Sequence, residues 1–178
     1  LVLFPELTLC GYPPEDLLFH RGFRRHVEAA LAELATAEPG IGVLVGCPEY
    51  TDAGIFNSAV LFAAGRELAR HRKNLLPNYQ VFDERRYFAS GRDAGQAPLV
   101  VDVKGTRVGV LICEDAWFDE PADAAEAAGA QVLCVLNASP FHLGKLEERE
   151  QRMAERSRHV GLPLLYSHLT GAQDEVVF

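Results

Sequence analysis

Cys113 closes an apolar run at residues 108–112, and Glu114, Asp115 and Trp117 follow it at once. A run of Val, Leu and Ile reads as a buried strand. Two carboxylates cannot carry that strand on into a core, so the chain turns there. The thiol therefore stands at a strand end, where α/β sheets collect binding and catalytic groups. Glu6 shares this context, just past the apolar residues 1–4. So do residues 137–139, past the run 132–136, and Lys73 ends the charged arm 66–73. Parallel strands would bring such ends to one edge. A carboxylate there can take the thiol proton and return it to a leaving group. An ammonium lowers the thiol pKa and stabilises a developing oxyanion. The backbone N–H of Glu114 is a natural second oxyanion donor.

Each group alone also has an ordinary structural account. Free cysteine is among the most buried residue types, so Cys113 can be simple packing. A Glu after a strand is commonly a surface residue or a cap, and a Lys beside Arg72 is commonly solvated. Ser139, followed by Pro140, reads as a turn or a polar contact. Other chemistries lack their motifs. The sequence has no Gly-x-Ser-x-Gly elbow, no Gly-x-Gly-x-x-Gly, no phosphate loop ending in Gly-Lys-Ser/Thr and no His-Glu-x-x-His. Cys10, Cys47, Cys113 and Cys134 show no Cys-x-x-Cys spacing, which argues against zinc. Cys47 and Cys134 lie in or beside apolar runs and read as core. A reduced, intracellular setting is the simplest account of four such cysteines.

The elements that must position these groups follow from pattern. Val27, Ala30, Leu31 and Leu34 lie on one helical face, predicting a helix over 23–37 that Pro39-Gly40 stops. Glu15 and Asp16 suit a first helical turn. Residues 1–4 and 41–45 read as buried strands. Residues 58–63 and 66–73 flank Ala64-Gly65 as a hairpin, and 99–103 and 107–113 flank Lys104-Gly105-Thr106 as another. Helices are expected at 121–130 and 144–160, with strands at 132–136 and 163–167. Residues 74–93 have no period but many aromatic and charged side chains, a composition typical of functional loops. Helices alternating with strands, interrupted by two hairpins, indicate an α/β domain with mixed sheets and helices on the outer faces.

The chain has 178 residues, 48% of them hydrophobic, which suffices for one domain with a core. The net charge of -8 argues against a nucleic-acid surface. No apolar run approaches the roughly 20 residues that cross a bilayer, and no basic start precedes an apolar stretch. The chain begins and ends within strand-like residues, 1–4 and 175–178, as a piece of a longer protein would.

Five segments occur together in order. They are Phe-Pro-Glu6 with Thr8 to Leu18, Arg72-Lys73 through Leu-Pro-Asn-Tyr-Gln-Val-Phe-Asp-Glu-Arg-Arg-Tyr-Phe88, Ile112-Cys-Glu-Asp-Ala-Trp117, Asn137-Ala-Ser-Pro-Phe141 and Gly171 to Phe178. Together they resemble the nitrilase superfamily of carbon–nitrogen hydrolases. They are most similar to one branch of it, the glutaminase domains of glutamine-dependent NAD⁺ synthetases. The resemblance implies a four-layer α-β-β-α sandwich. It spans residues 1–178, without the family's first strand and helix or its closing strands. Carried over by motif, Cys113 is the nucleophile, Glu6 the general base and acid, and Lys73 the oxyanion-stabilising cation. Glu84 is the second glutamate, supporting the lysine and the base. Tyr79, Glu114, Trp117, Ser139 and Lys145 match residues that hold the amino and carboxylate groups of glutamine. The resemblance further implies glutamine as substrate, no metal or cofactor in this domain, a cytoplasmic homo-oligomer, and no nucleic-acid or membrane partner. ATP, Mg and deamido-NAD⁺ would belong to a synthetase domain absent from this chain. The alternative is a free-standing nitrilase-like amidase or carbamoylase. His168 and Ala172 stand where relatives commonly carry Asn and Gly.

Overall fold

The computed structural model describes residues 1–37 and 40–178. The chain runs from β1 (Val2–Leu3) through a 3-10 turn at Glu15–Phe19 into α1 (Arg21–Thr36). Three strands follow, β2 (Val43–Thr51), β3 (Gly54–Ala63) and β4 (Arg66–Arg72), and then a one-turn helix, α2 (Glu84–Tyr87). Next come β5 (Val100–Val103), β6 (Thr106–Ile112), a second 3-10 turn at Cys113–Trp117, and α3 (Asp119–Ala127). The chain finishes with β7 (Val132–Asn137), α4 (Lys145–Val160), β8 (Leu164–His168), β9 (Ala172–Gln173) and β10 (Val176–Val177).

Strands that are apolar at successive positions can bury both faces, and here they do. One sheet has the order β1-β2-β3-β4, the other β5-β6-β7-β8. Leu44, Ala59 and Leu61 of the first sheet meet Val108, Val110, Ile112 and Leu136 of the second, so the sheets lie face to face. The alternate residues of the first sheet, Val45, Val60 and Phe62, take Leu31, Leu34 and Ala35 of α1. Leu111, Leu133 and Val135 take Ala122 and Ala125 of α3 and Met153 of α4. The result is the expected four-layer α-β-β-α sandwich. Both sheets are of mixed orientation: β1 lies parallel to β2, and β6, β7 and β8 are parallel to one another. No helix among the described residues is long and apolar enough to cross a membrane.

Several sequence expectations shift. Residues 1–4 do not form a buried strand. Only Val2–Leu3 pair, and Leu1, Val2 and Phe4 remain exposed because β1 has one neighbour, β2. The second strand starts at Val43 rather than Ile41 and continues to Thr51, where it turns into β3. That hairpin was hidden by Pro48, Glu49 and Asp52, which break the apolar pattern. The two expected hairpins, β3–β4 and β5–β6, are present, the first with the expected Ala64-Gly65 turn and the second with Thr106 joined to β6, so that Lys104-Gly105 form its turn. A further short pair, β9–β10, closes the described chain. Helix α1 covers Arg21–Thr36, and the expected stop at Pro39 lies outside the described residues. Gly161 caps α4 with φ 67°, the left-handed conformation that ends helices. All four cysteines are free, with Cys47 and Cys134 buried.

The edge that carries the site depends on one close approach. Residues 5–7 cross β2 at Gly46. A Cβ added there would stand 2.4 Å from the Leu7 nitrogen, 2.7 Å from the Pro5 oxygen and 2.9 Å from the Glu6 carbonyl carbon. All three are backbone atoms and cannot rotate away. Gly46→Ala is therefore expected to destabilise the protein by about 1–3 kcal/mol, the usual cost of overpacking. It should also displace Glu6. Chemical denaturation and activity measured together check this, and a variant matching wild type in both would contradict it.

Candidate active site

Glu6, Lys73 and Glu84 form a continuous buried chain of ionic hydrogen bonds. Lys73 Nζ donates to Glu6 Oε1 at 2.7 Å and to Glu84 Oε1 at 2.8 Å. Glu6 and Lys73 are wholly buried, and Glu84 nearly so. Tyr12 Oη donates to Glu84 Oε1 at 2.9 Å, while Glu84 Oε2 has no hydrogen-bond partner among the described residues. Glu6 is held on both oxygens, with Asn57 Nδ2 donating to Oε1 at 2.7 Å and the Ala138 N–H to Oε2 at 3.1 Å. An isolated buried ion is strongly disfavoured, and this set persists because the charges face one another. Burial works against the Lys73 ammonium, but the charges of Glu6 and Glu84 outweigh it and hold its pKa well above the ordinary value.

Cys113 is 2% exposed and begins the 3-10 turn rather than ending the strand. Its φ of 46° is left-handed, a conformation a non-glycine residue keeps only when its surroundings enforce it. Asp115 supplies the enforcement. Its carboxylate accepts from the N–H groups of Ile112, Asn74 and Leu75 at 3.3, 3.1 and 2.8 Å. One side chain thus ties the residue before the thiol to the two residues after Lys73. As the second residue of the turn, Glu114 has an N–H with no intrahelical acceptor, free for an oxyanion.

The expected lowering of the thiol pKa does not occur. Burial pushes the Cys113 thiol well above its ordinary value, Glu6 adds to the rise, and the opposing pull of Lys73 is smaller. The thiol is therefore protonated at rest and needs a base. Cys113 Sγ makes no hydrogen bond among the described residues, yet Glu6, Lys73 and Glu84 all act on its charge.

Four of the remaining expected residues form two contacting pairs, and Ser139 stands apart from both. Tyr79 Oη donates to both oxygens of Glu114, at 3.0 and 3.1 Å. Glu114 is 8% exposed and has no cationic partner among the described residues. Burial raises its pKa. Lys145 Nζ lies 4.1 Å from the centroid of the Trp117 ring and pairs with Glu148 at 3.1 Å. Ser139 is buried in the loop after β7, next to the Ala138 N–H that binds Glu6. Tyr79, Glu114 and Phe118 line an open cleft of about 1280 Å³.

Three residues that the sequence did not assign take part: Tyr12, Asn57 and Asp115. Tyr12 lies within the Gly-Tyr-Pro-Pro motif. Asn57 is a polar residue in the apolar strand Ile-Phe-Asn-Ser-Ala-Val, which is itself a signal.

Burial pushes the Glu84 carboxyl up to about 7 from the ordinary 4.5, against the pull of Lys73. A carboxyl raised in this way binds its proton more tightly in the folded chain. Its contribution to stability is complete below the unfolded value and is lost as pH rises through the folded one. Wild type should therefore lose stability relative to Glu84→Gln as pH rises above the ordinary carboxyl range. Urea unfolding of both proteins at pH 5 and pH 8 checks this, and a difference independent of pH would contradict it.

Comparison with known proteins identifies the family. The profile of the carbon–nitrogen hydrolase family matches residues 1–178. A glutamine-dependent NAD(+) synthetase from Xanthomonas campestris pv. campestris is 48% identical over 178 residues, which is 100% of this chain and 32% of that protein. One from Aquifex aeolicus is 37% identical over 181 residues, covering 100% of this chain and 31% of that protein. The chain thus spans about a third of the length of the curated relatives it matches. The structure of glutamine-dependent NAD+ synthetase from Acinetobacter baumannii, in complex with ADP, gives a TM-score of 0.91 at 35% identity, over 99% of this chain and 33% of that one. An amidase of the nitrilase superfamily from Nesterenkonia gives 0.85 at 26% identity, over 99% and 65%. A variant of that amidase carries acrylamide joined by Michael addition to its active site cysteine. The chain belongs to the carbon–nitrogen hydrolase family.

Proposed function

We propose that this chain is the glutamine-hydrolysing part of a glutamine-dependent NAD⁺ synthetase. The observation that carries the reading is the buried ammonium of Lys73 bridging Glu6 and Glu84, with the strained, buried thiol of Cys113 within reach of their charges. Glu6 takes the proton from Cys113 Sγ. The thiolate attacks the side-chain carboxamide carbon of glutamine, and the carbonyl π electrons move onto oxygen. An ammonium has three N–H donors. Two of those on Lys73 are committed to the glutamates. The third, with the Glu114 N–H, receives the oxyanion. Glu6 passes its proton to the departing nitrogen, the C–N bond breaks, and ammonia leaves a thioester on Cys113. Glu6 then deprotonates a water that attacks the thioester carbonyl. Glutamate departs, and the proton returns to sulfur.

Glutamine is favoured over a simple amide by the mouth of the site. A buried carboxylate with no ion-pair partner among the described residues, Glu114, suits the substrate ammonium, and Tyr79 orients it. Lys145 and Ser139 suit the substrate carboxylate, with Trp117 as a wall. The ammonia would then be consumed in another part of the full-length protein, which amidates deamido-NAD⁺ using ATP and Mg. The same reading implies a cytoplasmic homo-oligomer, which sedimentation of the full-length protein tests.

In the full-length protein, Cys113→Ala should abolish NAD⁺ formation from glutamine and leave formation from free ammonia. Loss of both would mean that the change acts through folding. Glu114→Gln should raise KM for glutamine about 10- to 100-fold, the loss of one charge-assisted contact, with kcat largely kept. Steady-state kinetics with glutamine and with a simple primary amide check this. An equal effect on both substrates would remove Glu114 from glutamine recognition and favour a general amidase.

A further inference from the structure

Asn57 is the least expected member of the site. It sits in the middle of β3, 1% exposed, opposite Pro48 of β2. Its backbone C=O accepts the Lys73 N–H at 2.8 Å, so the strand that carries Asn57 also fixes where Lys73 leaves β4. Its side-chain amide donates to Glu6 Oε1 at 2.7 Å. Lys73 Nζ donates to the same oxygen at the same distance. Among the described residues, the other oxygen, Oε2, accepts only the Ala138 N–H, at 3.1 Å.

These bonds make the two oxygens of Glu6 unequal. A carboxylate oxygen has two lone-pair sites. Both sites of Oε1 are taken by short, charge-assisted bonds, whereas Oε2 keeps one open. We propose that Asn57 is a positioning residue that reserves Oε1 for Lys73 and makes Oε2 the atom of Glu6 that carries the proton between sulfur, leaving nitrogen and water. Protonating Oε1 would require breaking one of two 2.7 Å bonds. Protonating Oε2 breaks none. The amide cannot turn over to release Oε1, because Oδ1 would then face Oε1, acceptor against acceptor. Oδ1 itself has no partner among the described residues, so nothing else competes to turn the group. An amide also does not titrate, so its hold on Glu6 is the same at every pH at which the enzyme works.

The inference rests on the proposed role of Glu6 as proton carrier, and the experiment separates the two. Two variants are made in the full-length protein, Asn57→Leu and Asn57→Asp, and kcat and KM for glutamine are followed against pH. Asn57→Leu removes the donor and keeps the branched outline and heavy-atom count of the side chain. Its kcat should fall about 10- to 100-fold, the loss of one hydrogen bond to a charged group. KM should change little, and the acidic limb of the profile should move to higher pH, because the charged carboxylate has lost a donor. Asn57→Asp keeps the shape but places a second carboxyl group against Glu6, and two such groups share a proton. With that proton in place the introduced carboxyl group can donate to Oε1 as the amide does. Asn57→Asp should therefore gain activity on Asn57→Leu as pH falls from 8 to 6, and lose it again at high pH.

A wild-type profile in Asn57→Leu overturns the proposal. So do parallel profiles for the two variants, including a uniform loss in both, which is the mark of a structural role. If wild type itself shows no Cys113-dependent glutamine hydrolysis, the functional reading fails instead.

Discussion

The site depends on one ammonium buried between two carboxylates. Removing one partner from a buried ion pair costs about 3–5 kcal/mol, because the survivor is left charged and dry. Lys73, Glu6 and Glu84 therefore constrain one another's positions. Glu6 comes from the segment after β1, Lys73 from the end of β4, and Glu84 opens α2. Lys73 stands 67 positions from Glu6 and 11 from Glu84 in the chain, yet it meets them at 2.7 and 2.8 Å. The loop holding residues 74–93 is anchored at its start by Lys73 and at its middle by Glu84. Its loop-like sequence and its fixed geometry are thus compatible.

A second constraint acts on the thiol. Burial alone would make Cys113 an inert, protonated core residue. The Asp115 clamp turns the chain sharply at the end of β6 and holds Cys113 in a left-handed backbone beside the charged set. A thiol with a raised pKa next to a carboxylate is poor at spontaneous reaction and good at reaction on demand. Under the proposed mechanism, only a substrate that brings a carbonyl into the oxyanion position gains from moving the proton to Glu6.

Much of the site was legible because its charged groups follow apolar runs. Cys113 comes directly after β6, Glu6 three residues after β1, and residues 137–139 at the end of β7, and the sandwich arranges those ends together. The layers were legible for the same reason: runs such as 43–45 and 132–136 are apolar at every position and can only be strands covered on both faces. Three things were not legible, each because it depends on distance rather than on residue type. The balance of forces on the thiol requires knowing that desolvation outweighs the nearby ammonium. The role of Asn57 requires the β3–β4 register, which puts its carbonyl against the Lys73 N–H. The exposure of β1 requires knowing that a single strand lies beside it. The β2–β3 hairpin escaped notice because Pro48 and Glu49 interrupt an otherwise apolar ladder at the point where it leaves the core.

The central claim is that Cys113 forms a covalent acyl intermediate with the side chain of glutamine. Rapid mixing of the full-length protein with glutamine, acid quenching within the first turnover and peptide mass spectrometry test it directly. The account predicts a glutamyl thioester on the peptide carrying Cys113, appearing with the release of ammonia and decaying as glutamate is formed. Ammonia released at full rate with no adduct on that cysteine, or an adduct on Cys10, Cys47 or Cys134 instead, would contradict it.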